Sequence, residues 1–360
     1  MRDGFLRIAA ATPAIKVGDC SYNLEQTEKL VREAAQNQAS MVAFPELSLT
    51  AYTCGDLFLQ KRLLDSAENC LQELARRTAA LDILIVTGMP VRDGAALYNC
   101  AAVLYHGEIL GLVPKTHIPN YSEFYEQRHF CQGPSFKIIN MCGVQVPLGT
   151  DLLFACRNMP EFRMGVEICE DLWVPAPPSA RLAAAGATVL VNLSASDELV
   201  GKADFRRSLV KSQSARLIAA YLYCDAGEGE STTDMVFAGH NIIAENGTML
   251  AESARFTTGI TYGEVDLQRM ESERRRTTTF PKPTEELHII SFDLPMRDLK
   301  LQRFIAPKPF VPRDAGDLEE RCLEILTLQA TGLATRLRHT GSKTAIVGLS
   351  GGLDSTLALV

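Results

Sequence analysis

The sequence predicts an α/β sandwich with mixed sheets. From residue 5 to about 270, strand-like apolar runs alternate with amphipathic helical stretches. Two pairs of strand runs read as hairpins, which a purely parallel doubly wound sheet would not contain. Apolar residues make up 46% of the 360 and charged residues 22%, enough to bury a substantial core.

Residues 5–12 read as the first strand. Residues 23–39 read as a helix, with Leu24, Leu30, Val31 and Ala34 on one face. Residues 41–47 form a short apolar strand that runs onto Pro45 and Glu46. A long amphipathic helix is expected over 56–81 with Asp56 as its N-cap, then a strand over 83–89. Residues 99–114 read as a hairpin turning at His106-Gly107. Residues 163–169 are a strand leading into Glu170-Asp171. A helix over 179–185 ends at Gly186, and 187–193 is a nearly all-apolar strand. A helix over 202–219 precedes a strand over 220–225, and 236–251 form a hairpin turning at Asn246-Gly247.

A net charge of −7 argues against a nucleic-acid-binding surface. The densest basic cluster, Arg274, Arg275 and Arg276, reads as solvated surface. No apolar run approaches the roughly 20 residues that span a membrane, so no membrane partner is expected. The N-terminal stretch carries no signal-peptide pattern. Ten cysteines are scattered without a CxxC pair or a His-rich metal spacing. This points to the reducing cytoplasm, to mostly buried free thiols, and to no metal ligands.

Residues 277–316 hold six of the seventeen prolines and no clear periodicity, and read as an extended linker. Residues 317–339 return to a helical pattern, with Leu318, Cys322, Ile325, Leu326 and Leu333 on one face. A strand over 344–349 follows, then SGGLDST. The expected organisation is a domain over 1–276, the linker, and the opening part of a second domain over 317–360.

Three polar residues stand at the ends of apolar runs, where a rigid scaffold can project them into a site. Glu46 follows VAFP, Lys115 follows LVP, and Cys169 follows MGVEI. Each alone has an ordinary structural reading. Together they form a chemical set. A thiol needs a base to become a thiolate. A buried carboxylate can be that base, and an ammonium can hold the charge that builds on an attacked carbonyl oxygen.

The strings FPELSLTAY (44–52), PKTHIPNYSEFYE (114–126) and EICEDLW (167–173) resemble the three motifs of the nitrilase superfamily. With AGEGESTTD (226–234), they are similar to the glutaminase domain of the glutamine-dependent NAD synthetase family, from Ile8 onward. The resemblance implies an α-β-β-α sandwich. It implies Glu46 as general base, Lys115 as oxyanion-stabilising cation and Cys169 as nucleophile. It also implies an assisting glutamate, for which Glu126 has the better spacing to Gly133 and Glu123 stands close by. In this family Tyr121, Ser196 and a basic residue at or near Lys202 would hold L-glutamine. The backbone of Glu170 would face the oxyanion.

A second constellation, Gly348-Leu349-Ser350-Gly351-Gly352-Leu353-Asp354-Ser355, sits where a strand meets a helix. Glycines let the backbone approach an anion, and amides at a helix start point their donors at it. SGGLDS resembles the pyrophosphate loop of the ATP pyrophosphatase family, and it lacks the Lys-Ser/Thr ending of a Walker A loop. A synthetase of this kind uses ATP and Mg2+ to amidate deamido-NAD with tunnelled ammonia, and it assembles as a homo-oligomer. The glutaminase step needs no cofactor. Two other readings compete: a stand-alone nitrilase-type amidase, which leaves SGGLDS unexplained, and a catalytically silent scaffold for oligomerisation. The bland reading of AGEGESTTD is a surface loop between strands, and by family analogy it lines an inter-domain contact.

Overall fold

A computed structural model describes residues 4–282, 287–312 and 314–360. Residues 1–3, and residues 283–286 and 313 of the expected linker, lie outside the described residues. The chain divides into two compact units, one ending at Arg303 and the other comprising Phe304–Val360.

The first unit holds two sheets. One has the spatial order β14 (Gly259–Asp266), β1 (Phe5–Thr12), β2 (Met41–Ala43), β3 (Leu84–Asp93), β4 (Ala96–Tyr105), β5 (Glu108–Pro114), β7 (Val144–Leu148) and β6 (Lys137–Met141). The other runs β13 (Thr248–Glu252), β12 (Ile242–Glu245), β11 (Ala220–Asp225), β10 (Val189–Ser194), β9 (Arg163–Ile168), β8 (Leu152–Cys156) and β15 (His288–Phe292). The sheets are mixed, as the hairpins predict. β1 to β3 and β9 to β11 pair in parallel, whereas β3 to β5 and β11 to β13 pair antiparallel.

Alternation along each strand assigns its two faces to two layers. Leu6, Ile8 and Ala10 of β1 meet Val189, Val191 and Leu193 of β10 in the core between the sheets. Ala9 and Ala11 face the other way, into a core with Leu24 and Val31 of α1 (Cys20–Gln36) and Leu71 and Leu74 of α2 (Lys61–Thr78). Leu190 faces Leu182 of α3 (Pro178–Ala184) and Val210 of α4 (Lys202–Leu217). The layering is therefore α-β-β-α.

Several expectations need correction. The helix expected over 56–81 starts only at Lys61, after a 3-10 stretch over Tyr52–Leu59 in which Gly55 breaks the helical path at φ +54°. Asp56 caps nothing. Its carboxylate accepts from Arg128 at 2.7 and 2.8 Å and pairs with His129. β2 stops at Ala43 rather than 47, because Pro45 and a left-handed Leu47 (φ +51°) turn the chain into the site.

The stretch read as linker contains β15, which pairs in parallel with β8. A strand of five residues gives too little pattern to stand out among prolines. Arg274 is not solvated surface either. It lies on α5 (Leu267–Arg276), and its guanidinium donates to the carbonyls of Ala187, Leu217 and Ile218.

The second unit carries α6 (Ala315–Thr340), capped by Asp314 and ended by left-handed Gly341, and α7 (Leu353–Leu359). The strand expected over 344–349 does not form among the described residues. A strand needs a neighbour to receive its backbone hydrogen bonds, and none pairs with it.

Candidate active site

Glu46 lies in the turn after β2. That turn packs so closely on β3 that a Cβ on Gly88 would sit 2.1 Å from the Leu47 nitrogen, so the position requires glycine. Lys115 directly follows β5, where its N–H donates to the Asn99 carbonyl of β4 at 2.8 Å. Cys169 follows β9 in the left-handed region, at φ +44°. The side chain of Asn192 on β10 clamps it there: the Cys169 N–H donates to Oδ1 at 3.2 Å, and Nδ2 faces the Cys169 carbonyl at 3.4 Å. A strained backbone fixed by its surroundings is common at reacting residues.

The charged groups converge in a buried cluster. Lys115 is fully buried, with its Nζ 2.7 Å from Glu46 Oε1 and 2.6 Å from Glu126 Oε1. Glu126, not Glu123, makes this contact. Glu46 Oε2 accepts from the Ala195 N–H at 3.0 Å, and the Tyr52 hydroxyl donates to Glu126 Oε1 at 2.9 Å. Asn99 Nδ2 donates to Glu46 Oε1 at 2.6 Å and reaches Glu126 Oε2 at 3.4 Å. Two carboxylates thus share one ammonium and one amide.

This arrangement sets the protonation states. Burial, followed by the Glu46 charge, pushes Glu126 up to about 7, with Lys115 opposing. Burial alone would lower Lys115, but the carboxylates of Glu126 and Glu46 hold its ammonium well above the ordinary range. Burial, then the Glu46 carboxylate, push the Cys169 thiol far up, with Lys115 opposing. Cys169 is therefore a neutral thiol at rest, and a thiol becomes a nucleophile only when a base takes its proton.

The other expected residues each have partners of their own. The exposed Tyr121 donates its hydroxyl to the Glu170 carboxylate at 2.9 Å. Ser196 is buried, and its N–H donates to Asp225 Oδ1 at 3.0 Å. Lys202 pairs with Asp197, its ammonium 5.5 Å from the Trp173 ring centre. A cleft of about 420 Å³ reaches the cluster at Tyr52 and Glu126, while Cys169, Tyr121, Ser196 and Lys202 do not line it.

Reading by motif missed Asn99, Asn192, Tyr52 and Asp171. Asp171 accepts from the N–H groups of Thr116, His117 and Ile168, tying the segment after Lys115 to the segment before Cys169. The two asparagines did leave a signal. Each interrupts an apolar run, LYNCAAV and VLVNLSA, where a buried amide must find partners. Among the described residues, no group of three or more His, Cys, Asp and Glu side chains could hold a metal ion. No helix among them is long and apolar enough to cross a membrane.

A carbon-nitrogen hydrolase family profile matches residues 7–275. The chain belongs to the carbon-nitrogen hydrolase family. It is 43% identical over 99% of its length to a glutamine-dependent NAD(+) synthetase of Mycobacterium bovis, covering 54% of that protein. A solved glutamine-dependent NAD(+) synthetase from Cytophaga hutchinsonii matches with a TM-score of 0.66 and 27% identity, over 77% of this chain and 46% of the other. An amidase from Nesterenkonia sp. shares the fold, with a TM-score of 0.59 and 20% identity over 77% of this chain and 97% of its own. The chain thus spans about half the length of the synthetases it matches. The carbon-nitrogen hydrolase unit has the nitrilase-type sandwich that the motifs imply, with Glu46, Lys115 and Glu126 in one cluster whose charges bear on Cys169.

Proposed function

We propose that the first unit hydrolyses the side-chain amide of L-glutamine through a thioester on Cys169. The ammonia then serves an ATP-dependent amidation of deamido-NAD, in a synthetase domain that opens with residues 317–360. The observation that carries this reading is the buried Lys115 held between Glu46 and Glu126. Similarity to named glutamine-dependent synthetases over 99% of the chain supports the choice of substrate.

In the first half-reaction Glu46 takes the Cys169 proton as the sulfur forms a bond to the amide carbon. The carbonyl electron pair moves to oxygen, where Lys115 and the Glu170 N–H stabilise it. The oxyanion collapses, the C–N bond breaks, and Glu46 returns its proton to the departing ammonia. Water then replaces the amine. Glu46 takes a proton from the water, the water oxygen attacks the thioester carbon, and the C–S bond breaks as Glu46 returns the proton to sulfur, giving glutamate and the thiol. Tyr121, Ser196 and Lys202 hold the α-amino and α-carboxylate groups, with Lys202 suited by charge to the carboxylate.

Residues 348–355 suit an anionic ligand. Gly351 is left-handed at φ +82°, and the Ser350 and Ser355 hydroxyls lie 3.3 Å apart at the start of α7. Their hydroxyls and the neighbouring backbone amides would hold the phosphates of ATP with its Mg2+, which when bound activates a carboxylate for amidation. A reducing cytoplasmic setting fits the ten free thiols. Homo-oligomeric assembly rests on the family resemblance.

The test is ammonia release from glutamine, asparagine and simple amides. Glutamine is the preferred substrate, and Cys169→Ala abolishes release while Cys54→Ala and Cys224→Ala retain it. Equal turnover of simple amides would favour a general amidase, and activity in folded Cys169→Ala would remove the nucleophile assignment. In a chain carrying the full synthetase domain, Ser350→Ala lowers NAD formation and spares glutamine hydrolysis.

A further inference from the structure

The AGEGESTTD stretch is not the plain surface loop that its composition suggests. Glu230 is buried, at 8% exposure. Its carboxylate accepts from the Tyr52 N–H at 2.7 Å, the Thr53 N–H at 2.9 Å and the Thr53 hydroxyl. The Ser231 N–H donates to the same Thr53 hydroxyl at 2.8 Å. On the other side of the loop, the Ile15 N–H donates to the Glu228 carbonyl at 3.1 Å. Gly229, at φ +103°, passes so close to Ile15 that a Cβ would lie 1.8 Å from its carbonyl oxygen. The loop is therefore seated from both sides, and only glycine fits between its two glutamates.

The segment that Glu230 grips is strained. Ala51 lies at φ +78°, ψ +151°, a conformation that a residue with a Cβ keeps only when its surroundings over-determine it. Tyr52 comes next, and its hydroxyl donates to Glu126 Oε1, the oxygen that also receives Lys115 Nζ. One run of contacts leads from Glu230 through the 52–53 backbone and the Tyr52 ring to the carboxylate beside Lys115.

We propose that Glu230 is a positioning residue for amide hydrolysis, holding the 51–53 backbone so that the Tyr52 hydroxyl fixes Glu126 against Lys115. The inference rests on the proposed reaction at Cys169. It gives the AGEGES loop a task inside the site, and it explains three features together: a buried carboxylate, a strained alanine and an obligatory glycine.

Glu230→Gln keeps the shape but replaces one acceptor oxygen with a donor, so one of the gripped N–H groups loses its partner. Tyr52→Phe removes only the hydroxyl. We expect each to lower kcat for glutamine about tenfold, equivalent to about 1.4 kcal/mol of barrier, with KM changed less than about threefold. The Tyr52 hydrogen bond lowers the Glu126 pKa, so its loss moves the acidic limb of kcat/KM to higher pH in both variants. The double variant should be no worse than Tyr52→Phe alone, because both act through one contact. Thr53→Val, which removes one donor to Glu230, gives a milder shift in the same direction and serves if Glu230→Gln does not fold.

A Glu230→Gln or Thr53→Val protein with an unmoved pH limb, or multiplicative effects in the double variant, overturns the positioning role. Wild-type protein that releases no ammonia from glutamine overturns the reaction itself and this inference with it. Active wild type with an unmoved limb in the variants overturns only the inference.

Discussion

The two units of the chain meet their motifs in opposite ways. In the first, Glu46, Lys115, Glu126 and Cys169 are all buried, and Glu46, Lys115 and Glu126 each have named hydrogen-bond partners. In the second, none of the described side chains of α6 or α7 is buried, and SGGLDS is exposed apart from the half-buried Ser355. Helix α6 still forms, because its signals are local: the Asp314 carboxylate accepts from the Gly316 and Asp317 N–H groups, and Gly341 closes the other end. The strand expected beside it does not form, because strand pairing is not local. Motif residues are buried only where tertiary layers pack around them.

The largest effect that would break this contrast lies at Lys115. Lys115→Ala leaves two buried carboxylates facing each other without their cation. We expect about 3–5 kcal/mol of lost stability and about 100-fold to 1,000-fold lower kcat in what remains folded. Denaturant titration and ammonia release measure the two effects, and a variant as stable as wild type would show that the cluster is not enclosed as described.

Core packing offers the next test. Leu193→Ala, between the sheets, should cost about 2–5 kcal/mol. Leu326→Ala on α6, where the side chain is 39% exposed, should stay within about 0.5 kcal/mol. Comparable costs at the two leucines would erase the difference between the units.

Asn99→Ala removes the amide shared by Glu46 and Glu126. It should cost about 1–3 kcal/mol and lower kcat about tenfold, with little change in KM. The pH dependence is a finer probe. An inflection near pH 7 is expected from Glu126, which burial raises to about 7. Glu126→Gln should remove or displace it, and an unmoved inflection would place that titration elsewhere.

Much of this site was legible because strand ends are. Apolar runs ending on Glu46, Lys115 and Cys169 located three side chains, and the order of three motifs supplied their company. The asparagines were harder to see. Asn99 and Asn192 sit inside strands, where sequence reads burial but not the partners that turns after other strands of the same sheet bring to them. Asp56 misled for the opposite reason: an acidic residue before an amphipathic run looks like a cap, yet its partners, Arg128 and His129, come from 70 residues away in the chain. β15 escaped notice because its pairing with β8 is long-range and its neighbours are prolines.

A further expected effect is on the pH dependence of stability. Burial raises Glu167 to about 7 and Asp225 to about 6, so the folded protein binds these protons more tightly than the unfolded chain. Their contribution is full below about pH 4 and is lost as pH rises through 6–7. The Tm of Glu167→Gln relative to wild type should therefore become more favourable between pH 5 and 8, and a constant difference would count against that burial.

The account turns on Cys169 as the nucleophile of a glutamine-binding site. Treatment with the glutamine analogue 6-diazo-5-oxo-norleucine, followed by peptide mass spectrometry, tests this directly. The account predicts covalent modification at Cys169, slowed by excess glutamine and absent from Cys54 and Cys224. An unmodified Cys169, or labelling spread over the exposed Cys131, Cys142 and Cys322 without protection by glutamine, would contradict it.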